Sequence, residues 1–283
     1  MPTQRNELHR IYTVMDFSPS AWNAIEQASK IAKYFRHPLT ALCSKEDFVE
    51  KQLLTQGLKF GTNEDLTKTI QNKIFNPDFN VISSANKWNK LVSEHLDSEK
   101  GATEIFVGIQ THKGAPQHIS QNAAYKLAKT TNLPVFAWPE KTERIKEVLL
   151  PFDNNKHSRE KLYYGVLFAQ VYNARLHLLM LNTNSTRDDI IALRNAGKQV
   201  EDYTIKHGVP YWLEERESPN SVKVINQYIE EKNIDVLICS IEMEHNLSDI
   251  FKGTVPARLS ETLTIPTFWI PERVSWGMID VSI

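Results

Sequence analysis

Apolar residues fall along this chain in two alternating rhythms. Short continuous apolar runs read as buried strands, and between them apolar positions recur every three or four residues, as on one face of a helix. In the first half the strand-like runs are residues 11–16, 39–43, 80–83, 105–108 and 134–138. The first helical stripe is Trp22, Ile25, Ala28, Ala32 and Phe35. Ser18 stands before it as an N-cap, Pro19 suits the first helical position, and His37-Pro38 stops it. Residues 45–79 are polar with scattered apolar positions and read as helical up to the third strand; Trp88, Leu91, Val92 and Leu96 give a further stripe. In the second half the strands fall at 147–152, 176–181, 210–215, 235–240 and 266–270. There Ser218-Pro219 predicts a helix start, followed by Val222, Ile225 and Ile229 on one face. Strands alternating with helices predict an α/β fold with open parallel sheets covered on both sides.

The two halves repeat one another. Asp16 pairs with Asp153, Ile25 with Leu162 and Leu39 with Leu176, each 137 positions apart (153 − 16). A unit of that length is a duplicated domain rather than a solenoid repeat. The charged, turn-prone stretch from Pro139 to Arg144 separates the copies, so the expected domains are 1–140 and 147–283.

Bulk properties narrow the function classes. The 283 residues are 41% hydrophobic and 24% charged, enough for a core in each half. A formal net charge of −1 gives no electrostatic case for a nucleic-acid partner. Cys43 and Cys239 lie in predicted strands of different halves and read as buried reduced thiols. The first residues carry no apolar signal segment, and no run is long enough to span a bilayer. The expectation is a cytoplasmic protein with neither a membrane nor a nucleic-acid partner.

Ligands of open parallel sheets bind beyond the carboxyl ends of the strands, where the strand order reverses. Asp16 and Asp153 follow the first strand of each half. A carboxylate there can accept hydrogen bonds from a ribose or a base; it can equally cap the next turn or helix. Gly253-Thr254 sits at a helix start, where backbone N–H groups and a hydroxyl could receive a phosphate or could simply cap the helix. No P-loop and no G-x-G-x-x-G after a first strand occurs, which removes the commonest nucleotide folds. The Ser-Gly-Gly-x-Asp loop of the related pyrophosphatase-type enzymes is also missing. His112 with His118, and Glu242 and Glu244 with His245, are poor metal sets and read as surface loops. No nucleophile–base set emerges from spacing, so no catalytic constellation and no resident metal is expected.

Val14-Met15-Asp16-Phe17-Ser18 and Leu150-Pro151-Phe152-Asp153 resemble the opening of the universal stress protein family in its tandem form. The loop after strand four resembles the family's G-x2-G-x9-G-[S/T] motif, with Ser240 and Met243 in place of the leading glycines and Gly253-Thr254 at its end. In the first half the same count places the motif at Gly108, Thr111, Gln121 and Asn122. The resemblance implies two Rossmann-type, adenine nucleotide alpha hydrolase-like sheets of five strands forming an internal pseudo-dimer, with further association into a homodimer open. It also implies an adenine nucleotide, ATP with Mg, as ligand of some members. On it, Pro151 and Asp153 match the adenosine side, Leu181 a backbone contact to the base, and Gly253, Thr254 and Val255 the phosphate end. In the first half Asp16 and Gly108 match. Met243 would crowd a close backbone approach, and Glu242 and Glu244 would repel a triphosphate without a metal ion. The implied role is a stress-response regulatory protein with a degenerate adenine-nucleotide site. The alternative is a scaffold acting through its surface and the half-apolar tail Val274–Ile283.

Overall fold

The computed structural model describes residues 10–44, 62–74, 78–84, 88–98, 103–109, 119–140, 144–153, 158–183, 186–241 and 254–271. The chain divides into two compact units, Met1–Lys141 and Thr142–Ile283.

Unit 1 contains β1 (Arg10–Met15), α1 (Pro19–Phe35), β2 (Leu39–Ser44), α2 (Asn63–Ile74), β3 (Phe79–Ser84), α3 (Trp88–Ser98), β4 (Thr103–Ile109), α4 (Gln121–Thr131) and β5 (Val135–Pro139). Its strands lie side by side in the order β3-β2-β1-β4-β5, all parallel. The order reverses between β1 and β4. Alternate residues of β1 face opposite layers. Tyr12 meets His95 of α3 edge-on at 5.2 Å. On the other face α2 docks beside α1, where Ser29 Oγ and Lys33 Nζ donate to the Ile74 carbonyl.

Unit 2 contains β6 (Glu147–Phe152), α5 (Ser158–Tyr172), β7 (Arg175–Asn182), α6 (Arg187–Lys206), β8 (Tyr211–Glu217), α7 (Ser221–Lys232), β9 (Val236–Ser240), α8 (Val255–Thr262) and β10 (Thr267–Ile270). Its order is β8-β7-β6-β9-β10, again parallel, reversing between β6 and β9. Tyr164 and Phe168 of α5 pack on Phe268 of β10, while Tyr228 of α7 reaches His177 on the opposite face. Each unit is therefore an open α/β sheet with helices on both sides.

The registers show how far the duplication runs. Ile11 pairs with Leu39 and Val148 with Leu176, so the 137-residue offset holds through the second strand (148 − 11). It also holds at the end of the first helix, where Arg36 and Asn173 both take left-handed conformations at φ 60 and φ 51. From the third strand the offset is 132: Leu39 pairs with Phe79 and Leu176 with Tyr211 (211 − 79). The second copy is thus five residues shorter between its second and third strands.

Local signals act as the sequence implies at several ends. Ser18 Oγ accepts from Ala21 N at 3.1 Å, with Pro19 beginning α1. One start differs. Ser218-Pro219 does not open α7; Asn220 is its N-cap and accepts from Lys223 N at 3.2 Å. Ser218 Oγ instead accepts from Asn220 N, so the Ser-Pro pair builds the turn before the cap. Within 45–79 the described helix is α2, and residues 45–61 lie outside the described residues.

Candidate functional site

The crevice expected of such a fold lies where the strand order reverses, at the carboxyl edge. The strand ladders of the two units differ there, and one residue accounts for that difference. In unit 1 the β1–β4 ladder is registered over five pairs, up to Val14 with Val107. In unit 2 the β6–β9 ladder holds two pairs, Val148–Val236 and Leu149–Leu237. The cause can be read from the hydrogen bonds. Asp235 N donates to the Glu147 carbonyl, so residues 147, 149 and 151 turn their backbone groups toward β9. Residue 151 is proline and has no N–H to give. The ladder ends before it, and the carboxyl ends of β6 and β9 are left unregistered. On the other side β6 stays paired with β7 as far as Phe152 with Met180. Val14, the counterpart of Pro151 at the 137-residue offset, keeps its N–H and its ladder.

Several of the expected residues fall at the carboxyl edge of unit 2. Asp153 follows Phe152 and is 6% exposed. Leu181 lies one residue beyond Met180 in β7 and is buried. Thr254 is the N-cap of α8, its Oγ1 accepting from Ala257 N at 3.2 Å, and buried Val255 begins that helix. Gly253 lies outside the described residues, as do Met243, Glu242, Glu244 and His245, and in the other unit Thr111, His112 and His118.

A charged residue that the sequence reading passed over belongs to the same edge. Lys161 of α5 is 2% exposed, and its counterpart in α1 is Ala24 (161 − 137). Helical side chains slant toward the helix N-terminus, so the Lys161 stem runs toward the carboxyl edge of the sheet. Its charge and that of Asp153 both reach the Cys239 thiol, in opposite senses; burial, the larger effect, pushes that thiol up to about 12. A buried ammonium is tolerated only with charge compensation close by. The repeat itself was the signal for Lys161, because a lysine replaces alanine inside a buried stripe.

Unit 1 is arranged differently. Asp16 Oδ1 accepts from Ser18 N at 2.9 Å, a local turn contact. Between them Phe17 is fully buried at φ 61, a conformation rare for a bulky side chain, and meets Trp22 edge-on. Gly108 leaves no room for a ligand on its Cβ side: a Cβ there would stand 2.3 Å from Ala21 N. Its bareness serves the packing of α1 on the sheet. The helix start after β4 also differs from the sequence count. Ser120, not Asn122, is the counterpart of Thr254, since its Oγ accepts from Ala123 N and caps α4. Counting back from the strand failed because α4 has 11 residues and α8 has 8.

Solved structures can be compared with this geometry. A universal stress protein from Archaeoglobus fulgidus DSM 4304 superposes with a TM-score of 0.58, covering 93% of this chain and 96% of that one at 11% identity. A putative universal stress protein from Pseudomonas aeruginosa superposes at 0.60, covering 94% of each chain at 13% identity. The fold is that of the universal stress proteins. Both comparisons run through two consecutive units, as in the tandem form. The cytoplasmic domain of a prokaryotic cation chloride cotransporter shares the same fold, with a TM-score of 0.56 over 93% of this chain and 96% of that one at 10% identity. No family model and no curated protein matches the chain.

Against the universal stress fold, the described residues hold no group of three or more His, Cys, Asp or Glu able to hold a metal, and no helix long and apolar enough to cross a membrane. Cys43 and Cys239 are buried free thiols.

Proposed function

We propose that the chain is a stress-response regulatory protein that takes an adenine nucleotide in unit 2, between the carboxyl ends of β6 and β9. The carrying observation is the ladder that stops short of Pro151, beside the buried carboxylate of Asp153. Asp153 would accept from the ribose hydroxyls, the Leu181 backbone would meet the base, and the segment Gly253-Thr254-Val255 would meet the phosphates. ATP arriving with Mg is the form to test, since Glu242 and Glu244 repel a bare triphosphate. The role is one of binding, with no chemical step assigned. Unit 1, with its complete β1–β4 ladder and buried Phe17, takes no part in it.

Isothermal titration of the full chain with Mg-ATP and with AMP tests the reading. The expectation is a one-site isotherm with a dissociation constant between about 1 μM and 1 mM, or roughly −8 to −4 kcal/mol, abolished in Asp153→Ala. No heat and no thermal shift at millimolar nucleotide would sink it.

A second reading rests on Lys161. If its ammonium compensates Asp153 permanently, the crevice is closed and the molecule works as an interaction scaffold. The cotransporter domain supports this reading, since there the same fold is one domain of a cotransporter. Truncation after Pro271 separates the two: a scaffold acting through its tail changes its oligomeric state or partner capture, whereas a nucleotide binder keeps its isotherm.

A further inference from the structure

A buried polar relay lies at the opposite end of unit 2, apart from the crevice. His177 of β7 is 4% exposed. Its Nε2 stands 2.7 Å from Glu147 Oε2 of β6, and its Nδ1 stands 3.0 Å from Tyr228 Oη of α7. An ionised carboxylate only accepts, so Nε2 carries the proton and Nδ1 is the acceptor for the tyrosine hydroxyl. The neutral imidazole therefore joins α7 to two central strands through one continuous chain of hydrogen bonds.

Charges surround this relay from each packed element. On β6 and β7, Arg175 lies 3.9 Å from Glu147. Ahead of β9, the Asp235 carboxylate accepts from Lys146 N and Glu147 N, fixing the start of β6. On β8, Arg216 sits over the Tyr228 ring at 4.7 Å and pairs with Glu214 and with Glu231 of α7. Lys232 of α7 pairs with Glu214 at 3.6 Å. Unit 1 has no such relay: Arg10, Thr40 and Leu96 stand at the corresponding positions, at offsets of 137, 137 and 132.

We propose that His177, held between Glu147 and Tyr228, is an acid-sensitive latch that fastens α7 to the sheet of unit 2 and loosens when the ring takes a second proton. Protonation puts a hydrogen on Nδ1 that donates to the Tyr228 oxygen, so this bond reverses and the hydroxyl hydrogen loses its acceptor. The hydroxyl must turn its hydrogen away, and among the described residues it has no other hydrogen-bond partner.

The protonated ring must also be buried. Desolvation is the largest influence on it; Arg175 and Lys232 add to that, and the hydrogen bond and charge of Glu147 oppose it. The balance holds the ring below the usual histidine value of 6.5. The sign follows from linkage. As pH falls through 6.5 the unfolded chain takes the proton before the folded one, so the latch is whole above 6.5 and weakens below it.

Hydrogen exchange of the full chain at about pH 7.5 and about pH 5, scaled for intrinsic exchange, tests the latch. Peptides of α7 should lose protection on acidification by about tenfold for each unit of pKa depression, while α4 of unit 1, which has no histidine or carboxylate, does not follow. His177→Gln should flatten that response, as should Tyr228→Phe if the first variant does not fold. Imidazole NMR of the wild-type protein should show the Nε2–H tautomer and a titration midpoint below 6.5. A midpoint at or above that value, or an α7 response no larger than that of α4, overturns the proposal.

Discussion

Gly108→Ala isolates the contact that seats α1 on the sheet of unit 1. The added Cβ would lie 2.3 Å from Ala21 N, 2.4 Å from Ser20 C and 2.7 Å from Ala21 Cα. All three are backbone atoms of the first turn of α1, so no rotamer change relieves the clash. Ordinary contact begins near 3.4 Å, so that turn must retreat by about 1.1 Å (3.4 − 2.3). The retreat pulls against the Ser18 cap and the Asp16–Ser18 turn that fix the start of the helix. Overpacking of this kind costs about 1–3 kcal/mol. At roughly 3 °C per kcal/mol for a chain of this size, the melting temperature should fall by about 3–9 °C. Calorimetry on wild type and variant reads the shift. Ser240→Ala is the control, because Ser240 is the counterpart of Gly108 (240 − 132) and already carries a Cβ; it should cost no more than about 1 kcal/mol. An unchanged melting temperature in Gly108→Ala, or a crystal structure with α1 unmoved, would refute the packing argument.

Other outcomes follow from the same geometry. Thr254→Ala and Ser120→Ala each remove an N-cap hydroxyl and should each cost about 1 kcal/mol, read by urea unfolding; a loss confined to Thr254 would mean that Ser120 is not its structural counterpart. Cys43 and Cys239 are fully buried, and burial pushes both thiols up to about 12. Neither should react with a maleimide in the native protein at neutral pH, and both should react in urea. Rapid native labelling of either would contradict their placement in the core.

The strands were legible because both faces of each sheet are covered, which turns most of them into continuous apolar runs. β1 and β6 appear within one residue of the positions that pattern predicts. The unregistered end between β6 and β9 was less so. Pro151 is plain in the sequence, but its effect depends on which neighbour its missing N–H would have faced, and that needs the register. Ser120 was hidden because helix length is not conserved between the copies. Lys161 was hidden because a charge inside an apolar stripe looks like an interruption of the buried face. Ser218-Pro219 carried a genuine capping signal, but Asn220 stood two residues on and could cap as well; one sequence held two competing starts.

The exchange of Ala24 for Lys161 also bears on how a duplicated chain avoids confusing its own parts. Two adjacent copies with matching strand registers invite each helix to settle on the wrong sheet during folding. If α5 lay on the first sheet, Lys161 would arrive at the fully buried place of Ala24, with Asp16 as the counterpart of Asp153. Its first turn would also meet Gly108, where the sheet is cut to fit α1. Forcing a lysine into the space of a buried alanine overpacks it at about 1–3 kcal/mol, so the Ala24–Lys161 difference gives each helix an address.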